Sequence, residues 1–112
     1  MRLRYTPEAR TDLRELRRYI GESLGNPGAA ARISGEIIRD CSRLKQFPEL
    51  GMELCRKIDV ETDLRYLICN KHFAFYRIEK AYISVTRILD GRTDYLRVLF
   101  GDEIGDADVA EH

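Results

Sequence analysis

Seven basic residues in the second half of the chain are of types that act on phosphate: Arg65, Lys71, His72, Arg77, Arg87, Arg92 and Arg97, with Tyr66, Tyr76 and Tyr95 interleaved. Arginine forks hold phosphate oxygens, histidine titrates near neutrality and can take or give a proton, and tyrosine rings stack on bases or donate a proton. Arg65, His72, Arg87, Arg92 and Tyr95 are the candidate catalytic residues drawn from this set. The competing reading is structural, since a histidine beside a strand more often packs than reacts and strand tyrosines usually fill space. Arg87 stands out because strict alternation puts it on one face with Ile83, Val85 and Leu89. A guanidinium among such neighbours must be paired or must reach water. The partners near in sequence are Glu79, Asp90 and Asp94.

A second basic set is Arg10, Arg14, Arg17 and Arg18, spaced by threes and fours so that they share the outer side of one helix. Glu8, Asp12, Glu15 and Glu22 lie among them, which fits a solvated face. The alternative is a landing site for an acidic partner segment.

These residues need elements to position them. Thr6-Pro7-Glu8 supplies a capping hydroxyl, a proline where its missing N–H is harmless, and an acid at the positive end of the dipole. Ala9, Leu13, Leu16, Ile20 and Leu24 then recur at helical spacing. Gly25-Asn26-Pro27 ends that helix and starts another, whose buried stripe is Ala30, Ile33, Ile37, Cys41, Leu44 and Phe47, with Pro48 as the stop. The short link predicts an antiparallel helical hairpin. Arg2–Tyr5 alternate like a short strand at or near a sheet edge. Strands are expected at 64–69, 73–79 and 82–89, and one around 54–58 ahead of an acidic loop. The pattern over 93–100 fits a strand or a helical turn. The fold class is α+β: an N-terminal helical hairpin packed on one face of a mainly antiparallel, twisted sheet.

With 112 residues the chain fits a single domain, residues 1–101, and no run is long and apolar enough to span a membrane. Residues 102–112 hold five acids and no lysine or arginine, so the zero net charge hides a body with 19 bases against 14 acids. The acidic tail has the composition of a disordered segment, and the +5 body suits a partner rich in phosphate or carboxylate. Met1–Tyr5 carries no apolar signal core, which predicts a cytoplasmic protein. Cys41, Cys55 and Cys69 are odd in number and lack histidine or CxxC neighbours, so they predict buried thiols with no metal and no cofactor.

Three pieces carry a family resemblance: Leu64-Arg65-x-Leu67, then Phe75-Tyr76-Arg77 closing the next strand, then Arg87-Ile88-Leu89-x-Gly91-Arg92-x-Asp94. From about Arg2 to Phe100 the chain resembles the RelE/ParE toxins of bacterial type II toxin–antitoxin modules. The RelE branch cuts ribosome-bound mRNA without a metal, using a base for the 2′-hydroxyl, cations on the phosphate and an acid for the leaving oxygen. Its lysine and arginine positions fall here about Leu64, Tyr66 and Phe73, all uncharged, and only Arg92 survives. The ParE branch is matched with few gaps, with Asn70 where glycine is common and His72 where an aromatic is usual.

The resemblance implies a toxin, neutralised by a cognate antitoxin that would contact Arg10, Arg14 and Arg17, and aimed at DNA gyrase. It leaves two alternatives, a metal-independent mRNA endoribonuclease acting on the ribosome and a non-toxic binding module. A homodimer or a toxin–antitoxin hetero-oligomer is the assembly it implies, with no membrane partner.

Overall fold

The structure, a computed structural model, describes residues 1–101. The acidic segment 102–112 lies outside the described residues. Thr6 caps the first helix as its sequence predicts, its Oγ1 accepting from the Ala9 N–H at 3.2 Å while its hydroxyl donates to the Thr86 carbonyl at 2.8 Å. Strand β1 (Arg2–Tyr5) leads into α1 (Pro7–Arg18), which widens into a π-helical turn over Tyr19–Ser23. Gly25 takes φ +65°, the left-handed conformation that ends a helix, and Asn26 caps α2 (Pro27–Ser42) by accepting from the Ala29 N–H. The hairpin is present, but its tips differ from the stripe pattern. Leu24 is 60% exposed, because the π turn rotates it off the buried face, and Phe47 is 56% exposed, because a 3₁₀ turn at Arg43–Lys45 ends the regular repeat at Leu44.

The sheet runs β1-β5-β4-β3-β2, with β2 Met52–Glu53, β3 Arg65–Cys69, β4 His72–Ile78 and β5 Tyr82–Asp90. Only β1 and β5 pair in parallel; the other neighbours are antiparallel. The strand expected around 54–58 is instead a 3₁₀ turn, Leu54–Arg56, that buries Leu54 completely. Residues 95–100 form the short helix α3 (Tyr95–Phe100), which resolves the ambiguity over 93–100. Asn70 at the β3–β4 turn has φ +61°, a conformation asparagine tolerates better than most residues, which explains how it stands where the family commonly has glycine.

Both faces of the sheet are covered. On one, Ala9 and Leu13 of α1 and Ile37, Cys41 and Leu44 of the second helical segment pack on Leu67, Cys69, Ala74, Tyr76, Ile83, Val85 and Ile88. On the other, Leu54, Leu64, Tyr66 and Phe75 are joined by Phe73, Leu89 and the α3 residues Tyr95, Leu99 and Phe100. Strict alternation along β5 fails at one place: Phe75 faces Arg87 and Tyr76 faces Val85, leaving Thr86 as an extra residue. That bulge lets Val85 and Ile88 bury on the helix side while Leu89 turns to the opposite face. Arg87 therefore does not share one uniform apolar face with Ile83, Val85 and Leu89.

The loop entering β2 is held by Tyr76, whose hydroxyl donates to the Pro48 carbonyl at 2.7 Å and accepts from the Gly51 N–H at 2.9 Å. A Cβ on Gly51 would lie 2.6 Å from the Tyr66 carbonyl oxygen and 2.7 Å from the Tyr76 ring, so only glycine fits. Cys41 and Cys69 are buried free thiols, whereas Cys55 is exposed on the 3₁₀ turn and departs from the burial expected of all three. The Cys69 thiol is pushed up by its hydrogen bond with Cys41 and by burial, and burial does the same to the Tyr5 hydroxyl, so these two core groups stay protonated.

Candidate functional site

A groove of about 1000 Å³ opens between the tip of the helical hairpin and the ends of β4 and β5. Leu16, Tyr19, Ile20 and Leu24 form one wall, Ala29 and Ile33 the back, and Lys71, His72, Ile88, Asp90 and Arg92 the other wall. The π turn is what presents Tyr19, 57% exposed, and Leu24 at the mouth. Such single-turn widenings occur often at functional positions. The groove has an apolar floor and a polar rim, the pattern of a docking site.

Under that rim lies Asp12. Its two carboxylate oxygens accept from Arg87 Nε and Nη2, both at 2.8 Å, and one also accepts from the Ile88 N–H at 2.9 Å. The pair is only 28% and 11% exposed in Arg87 and Asp12 respectively. Hydrogen bonding to Asp12, its charge and that of Glu8 raise the Arg87 pKa against the opposing effect of burial, so Arg87 is a fixed cation. Its partner is thus on α1, not Glu79, Asp90 or Asp94. The sequence does carry a signal for this pair: Asp12 sits beside Ala9, Leu13 and Leu16 on the apolar stripe, so α1 and β5 each carry a charge of opposite sign on a buried side.

The other candidates separate. His72 opens β4 opposite Asp90, and burial lowers its pKa, with the Asp90 charge opposing. Its Nδ1 is buried and has no hydrogen-bond partner among the described residues. Arg92 is exposed and is bound through Nε and Nη2 to Asp90 at 3.2 and 3.3 Å, while its N–H donates to the same carboxylate at 2.8 Å. Those bonds hold the Asp90 carboxyl below its usual range. His72 and Arg92 are the sequence candidates that line this groove, whereas Arg87 is linked to it only through Asp12.

Arg65 is elsewhere. It is in register with Tyr76, four residues along β4 from His72, or about 13 Å of strand. Its Nη2 donates to the Gly51 and Glu49 carbonyls at 2.7 and 3.3 Å and its Nη1 approaches Glu53 at 3.6 Å, so it supports the β2 loop. Tyr95 lies on the opposite sheet face, its ring 5.8 Å from Phe73 and 5.4 Å from Phe75. Lys57 caps this aromatic group, its ammonium 4.8 Å from the Phe73 ring centroid and 5.1 Å from that of Tyr66, a contact the sequence reading missed. Arg77 pairs with Asp63 at 2.7 Å and Arg97 with Asp94 at 3.6 Å.

Arg10, Arg14 and Arg17 are exposed along α1 and make no hydrogen bond or ion pair among the described residues, whereas Arg18 lies between Glu15 and Glu22 at 3.8 Å from each. The ridge is therefore a row of uncommitted cations. Among the described residues no group of histidine, cysteine, aspartate or glutamate side chains is placed to hold a metal ion, and no helix is long and apolar enough to cross a membrane.

Residues 3–95 match the sequence profile of the ParE toxin of type II toxin–antitoxin systems, parDE. The chain also superposes on a solved structure of the chromosomal ParDE toxin–antitoxin system from P. aeruginosa, with a TM-score of 0.68 and 24% identity over 80% of this chain and 95% of that one. No curated protein matches the chain.

Proposed function

Since the chain belongs to the ParE toxin family and is the toxin component of a type II toxin–antitoxin module, we propose that it arrests growth by binding DNA gyrase through the groove at the hairpin tip. The observation that carries this choice of target is the dispersal of the cations and the phenol that RNA cleavage would need. Arg65 is spent on loop carbonyls, Arg87 on Asp12, and Tyr95 on the far aromatic cluster. Metal-free cleavage needs a base, a phosphate clamp and an acid around a single phosphodiester. His72 and Arg92 alone do not make that set. An apolar groove rimmed by Lys71, His72 and Arg92 suits capture of a protein surface instead.

The module context supports a cognate antitoxin as partner. In this reading the uncommitted Arg10, Arg14 and Arg17 meet its acidic residues and speed encounter. Induced expression without antitoxin, with plasmid supercoiling and mRNA integrity read in parallel, tests the target. Altered supercoiling or DNA damage with intact mRNA is the expected result. Codon-specific mRNA cleavage on purified ribosomes would overturn it in favour of the endoribonuclease.

A further inference from the structure

Two of the three cysteines meet in the core. Cys41 near the end of α2 and Cys69 at the end of β3 are both fully buried, and both belong to the apolar cluster between the helices and the sheet. α2 packs directly on β3 there. The Cys69 S–H can turn to the Leu67 carbonyl at 3.8 Å or to the Cys41 sulfur, with which it makes a hydrogen bond. The Tyr5 hydroxyl is buried against Cys41 without a well-formed hydrogen bond. Cys41 thus faces two proton donors, which pull its thiol below the ordinary range, first through Cys69 and further through Tyr5, against burial and the Asp40 charge. Packing alone does not explain a phenol left unpaired beside two sulfurs, because an unsatisfied buried hydroxyl is costly.

We propose that Cys41 and Cys69 are a reversible dithiol site that hydrogen peroxide converts to a disulfide stapling α2 to the sheet. Thiols in hydrogen-bond contact are within the span that a disulfide demands of its two side chains. The Cys41 thiolate attacks one peroxide oxygen, the O–O bond breaks, the leaving hydroxide takes up the proton that Cys41 released, and Cys41 becomes a sulfenic acid. The Cys69 sulfur then attacks the Cys41 sulfur, the S–O bond breaks, and the departing hydroxide carries off the Cys69 proton as water. The two sulfurs lose two electrons, and one peroxide becomes two waters. Tyr5 is a positioning residue, its O–H turned to the thiolate, and it is also the cover of the site. It stands on β1, a four-residue strand bonded to the sheet on one side only, so local opening there admits a peroxide without unfolding the core. The bond closes a loop of roughly thirty residues and restricts the unfolded chain, so the oxidised protein outlasts the reduced one on heating. Cys55 is exposed on its 3₁₀ turn and has no second cysteine beside it.

The test uses the full chain carrying Cys55→Ser, treated with hydrogen peroxide while folded, then unfolded for thiol counting and intact mass. Both remaining thiols should disappear from a monomer two hydrogens lighter, with a melting temperature raised by about 10 °C, and dithiothreitol should reverse all three changes. Adding Cys69→Ser should leave Cys41 as a sulfenic acid that a cyclic diketone traps, and adding Cys41→Ser should leave Cys69 reduced. Tyr5→Phe removes only the hydroxyl; it should slow the disulfide several-fold and move its pH–rate profile upward, whereas a merely structural role would leave the profile in place. An unmoved profile takes Tyr5 out of the site. Two free thiols after a dose that fully oxidises a urea-unfolded sample would overturn the proposal. So would a disulfide-linked dimer, separate oxidation of the two sulfurs without a link, or a link that lowers the melting temperature.

Discussion

Replacing Asp12 by alanine should be among the most damaging single changes at the surface of α1, although the residue touches neither main cluster of apolar side chains. The carboxylate takes three hydrogen bonds, two from Arg87 and one from the Ile88 N–H, at 2.8 to 2.9 Å. Arg87 is 28% exposed and can recover part of its hydration, but the Ile88 N–H faces the edge of β5 beyond the end of β1 and loses its acceptor. Loss of a charge-assisted pair of this burial, together with an orphaned backbone donor, costs about 3 kcal/mol. For a domain of this size that lowers the melting temperature by roughly 15 °C. Asp12→Asn keeps one acceptor and should cost about half as much. The decisive assay is a double-mutant cycle in urea over Asp12→Ala and Arg87→Ala, with an expected coupling of at least about 1.5 kcal/mol. Additivity within about 0.5 kcal/mol would show that the pair behaves as an ordinary surface bridge and would refute the reasoning.

Tyr76→Phe removes the two bonds from the Tyr76 hydroxyl to the loop entering β2 and should cost about 2 kcal/mol by chemical denaturation, and Gly51→Ala, which forces a Cβ into the same space, should cost at least as much. His72 is held below its ordinary pKa of 6.5 by burial: above 6.5 it is neutral in both states and contributes nothing, and as the pH falls below 6.5 the unfolded chain takes the proton first, so stability drops toward the folded pKa. His72→Asn should therefore lose less stability than wild type between about pH 7 and pH 5, and equal losses would remove His72 from the titration. Arg92→Ala should leave the melting temperature unchanged and reduce toxicity on induced expression; a fully toxic variant takes Arg92 out of the target surface. Charge reversal at Arg14 and Arg17 should slow association with the antitoxin and flatten its salt dependence in stopped-flow measurements, and wild-type rates at low salt would show the ridge to be only a solvated face.

The hairpin, the order of the strands along the chain and the turn at Asn70 were legible because each is written in local signals: caps, prolines, helical spacing and alternating apolar runs. What escaped the sequence was written across it. The Thr86 bulge leaves no mark in the alternation of β5 itself and shows only in the register with Phe75 and Tyr76. The exposure of Leu24 follows from a π turn whose residues read as ordinary helix. The alternation of β5 marks Arg87 as a charge needing a partner, yet its acid lies 75 residues away on α1, beyond any rule based on spacing.

The candidate site followed the same division. Its residue types were visible, but their grouping depended on strand register: Arg65 and His72 sit at opposite ends of the β3–β4 pair, and Tyr95 is carried to the other face by α3. That partition bears on mechanism. A ribonuclease must concentrate its cations at one phosphate, whereas this sheet spends Arg65, Arg77 and Arg87 on holding loops and α1 in place. Among the described residues it leaves Arg10, Arg14 and Arg17 on the α1 ridge without an ion pair. In the proposed reading, charge spread over the outer face of α1 suits encounter with an acidic antitoxin segment, and the groove at the hairpin tip is the surface offered to the target.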